Sequence, residues 1–329
     1  MVRPSHRSDR VAPPRRPRPA SQSLTLPVRS LTLRLVVTPS PEMGRELMRI
    51  GNLEGRLVLL AGGGAVDVAA ASEGRFGPDP QSVYACWQEF VGWAAVANVD
   101  LDGRPYDIAD LGAPVPNPRQ IFAIGLNYRE HASEASLAVP DEPVVFTKYV
   151  SCLTGPVGEI ELVPGEVDWE AELVIVLGRG GHEVPLGQAR DLVAGYTIGQ
   201  DVSERVRQRS GPAPQFGLAK SHPGFGPIGP AVVTLDELAD PDDLAIGSVL
   251  AGEKVQDGRT SRMIFPVDEL VSRLSDVVTL FPGDLIFSGT PAGVGMGRTP
   301  TRFIQAGEEL VTFIEGLGEM RHRFVAPND

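Results

Sequence analysis

Short apolar segments bounded by glycine and proline characterise the chain from residue 120 onward. Runs such as 121–124, 172–177 and 285–287 predict buried strands, because apolar runs of this length between turn residues are typical of strands. Helical spacing is rarer, and its clearest example is residues 266–275. Since strands and helices do not alternate regularly, a doubly wound fold is disfavoured. The pattern predicts an α+β domain that is mainly β.

The preceding part of the chain shows a hairpin pattern followed by a helical one. Residues 57–60 and 65–70 predict two strands joined by a glycine turn at 62–64, and residues 78–98 show helical spacing. The three glycines lack the spacing of a phosphate-binding loop, so a turn is the better interpretation.

Two changes in composition predict the domain boundaries. Three prolines within residues 111–118 indicate a linker, so we expect a small N-terminal domain at 48–117 and a larger domain at 118–329. Residues 1–41 contain eight arginines, eight prolines and one acidic residue. A segment of this kind cannot bury enough apolar surface to fold. We therefore predict a disordered basic arm, rich in proline and arginine, over residues 1–47.

Three explanations of this arm compete: a surface for nucleic acid or other anions, a targeting peptide, and a start placed too far upstream. The prolines oppose the amphipathic character of a transit peptide, and Thr32 and Arg34 interrupt the apolar stretch that a secretory signal needs. We favour a dispensable tail, with a true start near Met48.

Composition excludes several classes of protein. Lys and Arg number 30 against 42 Asp and Glu, and the resulting net charge of −12 opposes general nucleic-acid binding. The chain has no run of about 18 consecutive apolar residues, so no membrane span is expected. Its two cysteines, Cys86 and Cys152, cannot form a disulfide framework, and a cytoplasmic location is expected.

Acidic residues occur where the pattern predicts a buried strand. Glu170 and Glu172 precede an apolar run and share one face of the strand, because residues two apart on a strand point the same way. Asp201 ends a second predicted strand. A hard divalent cation would relieve the repulsion between such carboxylates. Solvated acids at an ordinary strand end are the alternative, and spacing alone favours that alternative slightly.

His131 and Glu134 form a second candidate group, on a predicted helix. Residues three apart on a helix face each other, and a carboxylate beside an imidazole raises its basicity. Such a pair can act as a general base. An isolated pair of this kind is more often an ordinary surface contact, so the spacing leaves both interpretations open.

Several short motifs occur in one order along residues 118–325. They are GLNYREHASE at 125–134, FTK at 146–148, DWEAE at 168–172, DVSER at 201–205, QDGRT at 256–260 and a Gly-Pro-rich segment at 282–295. In this order they resemble the fumarylacetoacetate hydrolase family, including its bacterial acylpyruvases and the isomerase/decarboxylases of the homoprotocatechuate pathway. The resemblance implies the family's mixed β-roll, preceded by a small N-terminal domain, and a homodimer.

The same resemblance implies three groups of site residues. The metal ligands would be Glu170, Glu172 and Asp201, holding Mg²⁺, or Mn²⁺ or Ca²⁺ in its place. The catalytic residues would be His131, Glu134 and Lys220. The residues lining the substrate site would be Lys148, Arg205, Gln208 and Thr290.

The chemistry implied by the resemblance is formation of an enolate. A chelated dication stabilises negative charge on the oxygen of a 2-oxo or 1,3-diketo acid, Lys220 adds a positive charge, and His131 oriented by Glu134 activates water. We therefore expect a hydrolase of aromatic catabolism that cleaves a C–C bond of an acylpyruvate or a fumarylacetoacetate-like acid. Alternatives are decarboxylation or isomerisation of 2-oxo or 2-hydroxy-diene-dioates on the same site, and a non-catalytic metal-dependent binder of small acids.

Two positions depart from the family pattern. Gln200 stands before Asp201 where the family commonly has asparagine. After Lys220 and Ser221 the chain continues with His222 and a Pro-Gly-rich run, where many members have an aromatic and an acidic residue. These departures bear on the shape of the substrate pocket more than on the metal ligands.

Overall fold

The structure, a computed structural model, describes residues 48–61, 63–96, 103–134 and 138–327. The arm expected at 1–47 lies outside the described residues, as does the glycine at 62 in the predicted turn. Residues 43–329 group into one compact unit, and the fold given below is that of its described residues.

Strands outnumber helices in this unit, and most elements are short. The strands are β1 (Arg49–Leu53), β2 (Arg56–Ala61), β3 (Gly64–Asp67), β4 (Arg104–Pro105), β5 (Leu111–Gly112), β6 (Ile121–Gly125), β7 (Val144–Thr147), β8 (Leu153–Thr154), β9 (Val157–Glu161), β10 (Val167–Asp168), β11 (Ala171–Leu177), β12 (Val193–Gln200), β13 (Ser203–Glu204), β14 (Gly226–Val233), β15 (Ala245–Leu250), β16 (Glu253–Arg259), β17 (Leu285–Phe287), β18 (Glu309–Ile314) and β19 (Gly318–Val325). The α-helices are α1 (Val68–Ala71), α2 (Trp87–Ala94), α3 (Arg129–Glu134), α4 (Leu186–Ala189), α5 (Arg205–Gln208), α6 (Phe216–Ala219) and α7 (Val267–Ser275). Among the described residues, no helix is long and apolar enough to cross a membrane.

A large mixed sheet forms the centre of the described structure. Ten of its 12 strands follow the order β4-β3-β2-β1-β14-β12-β11-β17-β6-β7, with β5 beside β1 and β8 beside β14. Most neighbours are antiparallel, whereas β17 with β6 and β8 with β14 are parallel. The prediction of a mainly β α+β fold is confirmed.

Strand β11 lies inside this sheet and is buried along its whole length. Leu173 and Ile175 pack into one apolar core, whereas Val174 and Val176 pack into a second core. Successive side chains of a strand point to opposite faces, so each face of β11 contributes to a different core. Burial on both faces is the physical cause of the continuous apolar run in the sequence.

A second sheet packs against the first. Its five strands have the order β16-β15-β18-β19-β9. Ile246, Ile314 and Met320 of this sheet share one apolar core with Leu173 and Ile175 of β11. The start of β11 and the end of β12 therefore lie next to the contact between the two sheets. Helix α7, predicted at 266–275, covers the same core.

The residues of the predicted N-terminal domain join the large sheet. Strand β1 pairs antiparallel with β14 through Arg49 with Val233 and Ile50 with Val232. Strands β2, β3 and β4 extend the sheet from β1. Residues on both sides of the boundary predicted at 117 thus share one sheet, and the division into two domains stays a prediction.

The strand predicted at 65–70 is shorter in the structure. Strand β3 ends at Asp67, and helix α1 follows at once. The Asp67 carboxylate accepts the amide N–H of Ala70 at 2.9 Å and so caps the helix. The alanine-rich segment after Asp67 favours a helical turn over a strand, because alanine has the highest intrinsic helix propensity of the amino acids.

The close pairing of β12 with β14 yields a test of the sheet. A Cβ atom at Gly195 would overlap the carbonyl oxygen of Val233 in the neighbouring backbone. We expect Gly195→Ala to lower the free energy of unfolding by about 1–3 kcal/mol, measured by urea denaturation. Gly187→Ala in α4 is the control, because its Cβ meets no atom within 4 Å. Equal midpoints for the two variants would contradict this packing.

Candidate metal centre and active site

Three carboxylates meet where β11 begins and β12 ends. Glu172 lies on β11, Glu170 immediately precedes that strand, and Asp201 follows β12. The antiparallel register pairs Ala171 with Gln200, and the Asp201 amide donates to the Glu170 carbonyl at 2.9 Å. One carboxylate oxygen from each acid lies within 4.8 Å of the other two, and all three residues are buried. The structure thus brings together the three acids that the resemblance assigns to a metal.

Glu170 is held by two cations. Its Oε1 accepts from Arg205 at 2.7 Å, and its Oε2 accepts from the Lys220 ammonium at 2.5 Å. Burial alone would raise the Glu170 pKa, but the charges of Lys220 and Arg205 outweigh it and lower the pKa to about 2. Glu170 is therefore a carboxylate at every physiological pH.

Glu172 has the opposite environment. Among the described residues its hydrogen-bond partner is the Gly289 amide, at 2.9 Å, and it forms no ion pair. Burial, followed by the charges of Asp201 and Glu170, raises the Glu172 pKa well above its ordinary value. A buried carboxylate without a cationic partner is costly, and a bound cation would remove that cost.

Lys220 connects the other two acids of the triad. Its Nζ donates to Glu170 at 2.5 Å and to Asp201 at 2.6 Å. Burial lowers the pKa of this ammonium, but the charges of Asp201 and Glu170 outweigh it and raise the pKa. Lys220 is therefore a fixed positive charge beside the triad, as electrostatic stabilisation of a developing oxyanion requires.

Lys148 lies behind Asp201 and does not line the cavity beside the triad. Its buried Nζ donates to Asp201 Oδ1 at 2.7 Å, to the Phe225 carbonyl at 3.2 Å and to the Lys220 carbonyl. All three ammonium protons are thus used within the protein. Contact between Lys148 and a substrate stays a prediction, and the geometry shows a residue that orients Asp201.

A cavity of about 440 Å³ opens beside the triad and is lined by one of its three acids, Glu170. The predicted site residues on its wall are His131, Glu134, Glu170, Arg205, Gln208, Lys220 and Thr290. Apolar contacts come from side chains such as Val144, Phe146 and Val294. A few convergent polar groups in a partly apolar cavity are typical of a small-molecule site.

His131 and Glu134 face each other on helix α3. The distance from His131 Nδ1 to Glu134 Oε2 is 3.3 Å. Both Glu134 oxygens also lie 3.2 Å from the Gly293 amide, which donates to them. The carboxylate is thus fixed from two sides and orients the imidazole on the cavity wall. This is the arrangement of a general base with an orienting acid.

Sequence reasoning missed a chain of buried polar groups behind the triad. Gln200 accepts the Glu170 amide at 2.8 Å and donates to Ser248 at 2.9 Å. Gln256 accepts the Ala171 amide at 3.0 Å and donates to Thr290 at 2.8 Å. These bonds join the start of β11 to the second sheet. Gln256 lies in the QDGRT motif at 256–260, but nothing in the neighbouring sequence indicates that its side chain bonds the backbone of Ala171.

Neither departure from the family pattern lies on the described wall of the cavity. Gln200 is fully buried against the Glu170 backbone. His222 packs against Phe225, with ring centroids 5.0 Å apart. The described wall of the cavity is formed by other residues, and Gln200 reaches it only through the Glu170 backbone.

Comparison with known proteins decides the family. Residues 120–325 match the family described as fumarylacetoacetate (FAA) hydrolase C-terminal. The chain belongs to the fumarylacetoacetate hydrolase family. Among curated proteins, the mitochondrial oxaloacetate tautomerase FAHD2A of Homo sapiens is 41% identical over 215 residues, which are 65% of this chain and 68% of that protein. The expected cytoplasmic location of this chain stays a prediction.

Two crystal structures illustrate the range of related proteins. An HpcE-type protein of Mycobacterium smegmatis is 56% identical, with a TM-score of 0.82 over 85% of this chain and 100% of that one. Maleylpyruvate hydrolase of Sphingobium sp. SYK-6, in complex with manganese(II) and pyruvate, is 28% identical, with a TM-score of 0.71 and coverage of 85% and 100%. The expected β-roll of the fumarylacetoacetate hydrolase type is confirmed.

The donor set of the triad fits a hard divalent cation. All three side chains offer carboxylate oxygens, which Mg²⁺, Mn²⁺ and Ca²⁺ prefer. Glu172 in particular has no positive partner in the described part of the chain. The triad can therefore hold a hard divalent cation such as Mg²⁺, Mn²⁺ or Ca²⁺.

Removal of one acid tests the metal site. We expect Glu172→Gln to weaken Mn²⁺ binding by about 100-fold or more, because a lost ligand costs at least as much as a lost supporting contact. Isothermal titration calorimetry measures the affinity. Glu237→Gln is the control, because Glu237 is a mostly buried carboxylate paired with Arg49 outside the cavity. Equal affinities for both variants would exclude Glu172 as a ligand.

The raised Glu172 pKa predicts a pH dependence of metal binding. The metal-free protein favours the protonated form, whereas a ligand must be ionised, so binding releases a proton. We expect the Mn²⁺ affinity to rise with pH, from the ordinary carboxyl range upward, until Glu172 is ionised. Calorimetry in buffers of different ionisation enthalpy measures the released proton. An affinity that falls with rising pH, or binding without proton release at acidic pH, would contradict this assignment.

Proposed function

We propose that the protein is a divalent-metal-dependent enzyme that acts on a small 2-oxo acid through an enolate. One observation carries this proposal: Glu170 of the acidic triad lines the same cavity of about 440 Å³ as the His131–Glu134 pair. The triad suits a cation that stabilises an enolate oxygen, and the pair suits movement of the proton that forms the enolate. A protein that only binds an acid has no need of the pair.

Glu170, Glu172 and Asp201 would hold the metal, with Mg²⁺ or Mn²⁺ as the favoured ions. When bound, the metal supplies a Lewis acid for the carbonyl and enolate oxygen of the substrate. The protein's own cations have a separate task. Lys220 and Arg205 keep positive charge on the cavity wall and attract the carboxylates of a 2-oxo acid.

His131 would transfer the proton. Its Nδ1 is held by Glu134, and its Nε2, which has no hydrogen-bond partner among the described residues, would exchange a proton with the substrate carbon or oxygen. Glu134 is fixed in turn by the Gly293 amide, so the imidazole has a defined orientation. Gln208, held by Arg205 at 2.8 Å, lies on the same wall and can donate to the substrate through its amide.

Keto–enol tautomerisation of a four-carbon 2-oxo diacid such as oxaloacetate is the reaction that we favour. It needs only the removal of a proton to form the enolate and the return of a proton at the other atom, and FAHD2A, which is 41% identical over 215 residues, is an oxaloacetate tautomerase. Hydrolysis of a C–C bond, the reaction expected from the sequence, is the second candidate. A related maleylpyruvate hydrolase binds manganese and pyruvate, and the His131–Glu134 pair could activate water in the same position.

A substrate panel tests the proposal. We expect the Mn²⁺-loaded protein to speed up enol-to-ketone conversion of oxaloacetate, followed by ultraviolet absorbance, and any cleavage of acylpyruvates to be identified by mass spectrometry. His131→Asn should lower kcat by about 100- to 10,000-fold, because a positioned base contributes that much. His182→Asn, a histidine away from the cavity, is the control.

The outcomes separate the candidates. Conversion of oxaloacetate without cleavage of acylpyruvates supports the tautomerase, and cleavage supports the hydrolase. If no 2-oxo acid reacts in the presence of Mg²⁺ or Mn²⁺, the enzyme proposal is wrong. Full activity in His131→Asn would remove the imidazole from the reaction.

A further inference from the structure

Asp168 is a fully buried carboxylate, and each of its two oxygens accepts two hydrogen bonds. Its Oδ1 accepts from the Trp169 amide at 2.8 Å and from the Gly295 amide at 2.7 Å. Its Oδ2 accepts from Arg205 Nε at 2.8 Å and from the Met296 amide at 3.0 Å. Its relative exposure is 0%. Such a group cannot contact substrate, so it must act through the residues that it holds.

Through Arg205, Asp168 is linked to Glu170 of the metal triad. The Arg205 guanidinium lies between two acids, with Nε on Asp168 and a terminal nitrogen on Glu170 at 2.7 Å. Asp168 therefore balances the charge of Arg205 next to a ligand of the triad. Without this balance, the guanidinium would repel a divalent cation bound to Glu170.

Through backbone amides, Asp168 is also linked to the His131–Glu134 pair. The amides of Gly295 and Met296 belong to a segment, residues 293–297, that we name the wall segment because it contributes Val294, Met296 and Gly297 to the cavity wall. The first amide of the wall segment, that of Gly293, donates to Glu134. Two carboxylates, Asp168 and Glu134, are thus bound by amides of one five-residue segment.

The glycines of the wall segment permit both approaches. A Cβ atom at Gly295 would overlap the carbonyl oxygen of Arg302 and would lie 2.7 Å from Asp168 Oδ1. A Cβ atom at Gly297 would lie 2.5 Å from the Glu134 carboxyl carbon. These contacts are shorter than non-bonded contacts allow, so the wall segment fits the two acids and the Arg302 backbone only with glycine at these positions.

We propose that Asp168 is a positioning residue that couples the metal triad to the His131–Glu134 pair. It neutralises and aims Arg205 beside Glu170, and it anchors the wall segment that holds Glu134. The distance between the enolate-stabilising half and the proton-transfer half is then set by one carboxylate. This inference rests on the proposed function and adds a residue outside the metal triad and the cavity wall.

The first test measures metal binding and needs no turnover. Asp168→Asn keeps the shape and removes the charge, so Arg205 is left unbalanced and the Mn²⁺ affinity should fall about tenfold. Asp284→Asn is the matched control, because Asp284 is also a buried carboxylate bound by backbone amides and lies outside the cavity lining. The double variant Asp168→Asn with Arg205→Gln should recover most of the affinity. Calorimetry gives the affinities, and thermal unfolding shows whether each variant is folded.

The second test measures coupling to the proton-transfer half. Asp168→Asn should lower kcat by about tenfold in the wild-type background and by less than about threefold in the Glu134→Gln background, because both changes release the same segment. A purely structural loss would multiply equally in both backgrounds, as we expect for Asp284→Asn combined with Glu134→Gln.

Failure of this inference differs from failure of the proposed function. Wild-type protein that binds no Mn²⁺ contradicts both. Wild-type protein that binds Mn²⁺, with Asp168→Asn equal to Asp284→Asn in affinity, contradicts the role of Asp168 alone. If Asp168→Asn does not fold, Arg205→Gln provides the test, since it leaves the Asp168 charge in place and should raise the Mn²⁺ affinity. An unchanged or lower affinity in that variant would overturn the inference.

Discussion

Burial of charge at one end of β11 and β12 governs the rest of the site. Four carboxylates, of Asp168, Glu170, Glu172 and Asp201, are almost inaccessible to solvent there, as are the cations of Lys148, Lys220 and Arg205. Buried charges are tolerated only when they are paired and hydrogen-bonded. The three cations pair with three of the acids, whereas Glu172 has no cationic partner among the described residues and its pKa is raised. A divalent cation that displaces the Glu172 proton would leave one net positive charge here, which would favour an anionic substrate.

The fold supplies this arrangement through two sheets in contact. Strand β11 is held within the large sheet by apolar packing on both faces, so its first residues have a fixed position. Gln200 and Gln256 then bind the backbone at Glu170 and Ala171 and tie it to the second sheet. The carboxylates are thus placed by buried amide hydrogen bonds as well as by strand pairing. Such a network is stable because each of its members has a partner.

Local pattern was a good guide to some elements and a poor guide to others. The strand at β11 and the helix α7 follow from apolar spacing, because burial of those side chains determines both structures. The strand predicted at 65–70 was wrong in its second half, since a cap by Asp67 outweighs the apolar pattern there. Spacing alone also favoured solvated acids at Glu170 and Glu172, whereas both are buried.

Neighbouring residues determine periodicity, capping and turn formation, and these effects can be inferred from the order of amino acids. The ordered motifs likewise carry the family and its candidate residues. Pairings across long separations are different. Lys148 meets Asp201 across 53 positions, and Asp168 meets the Gly295 amide across 127. Such contacts arise only when the sheets pack, because the chain brings these groups together through many strands. The burial that shifts the Glu172 pKa and the role of Lys148 behind Asp201 were therefore decided by the tertiary structure.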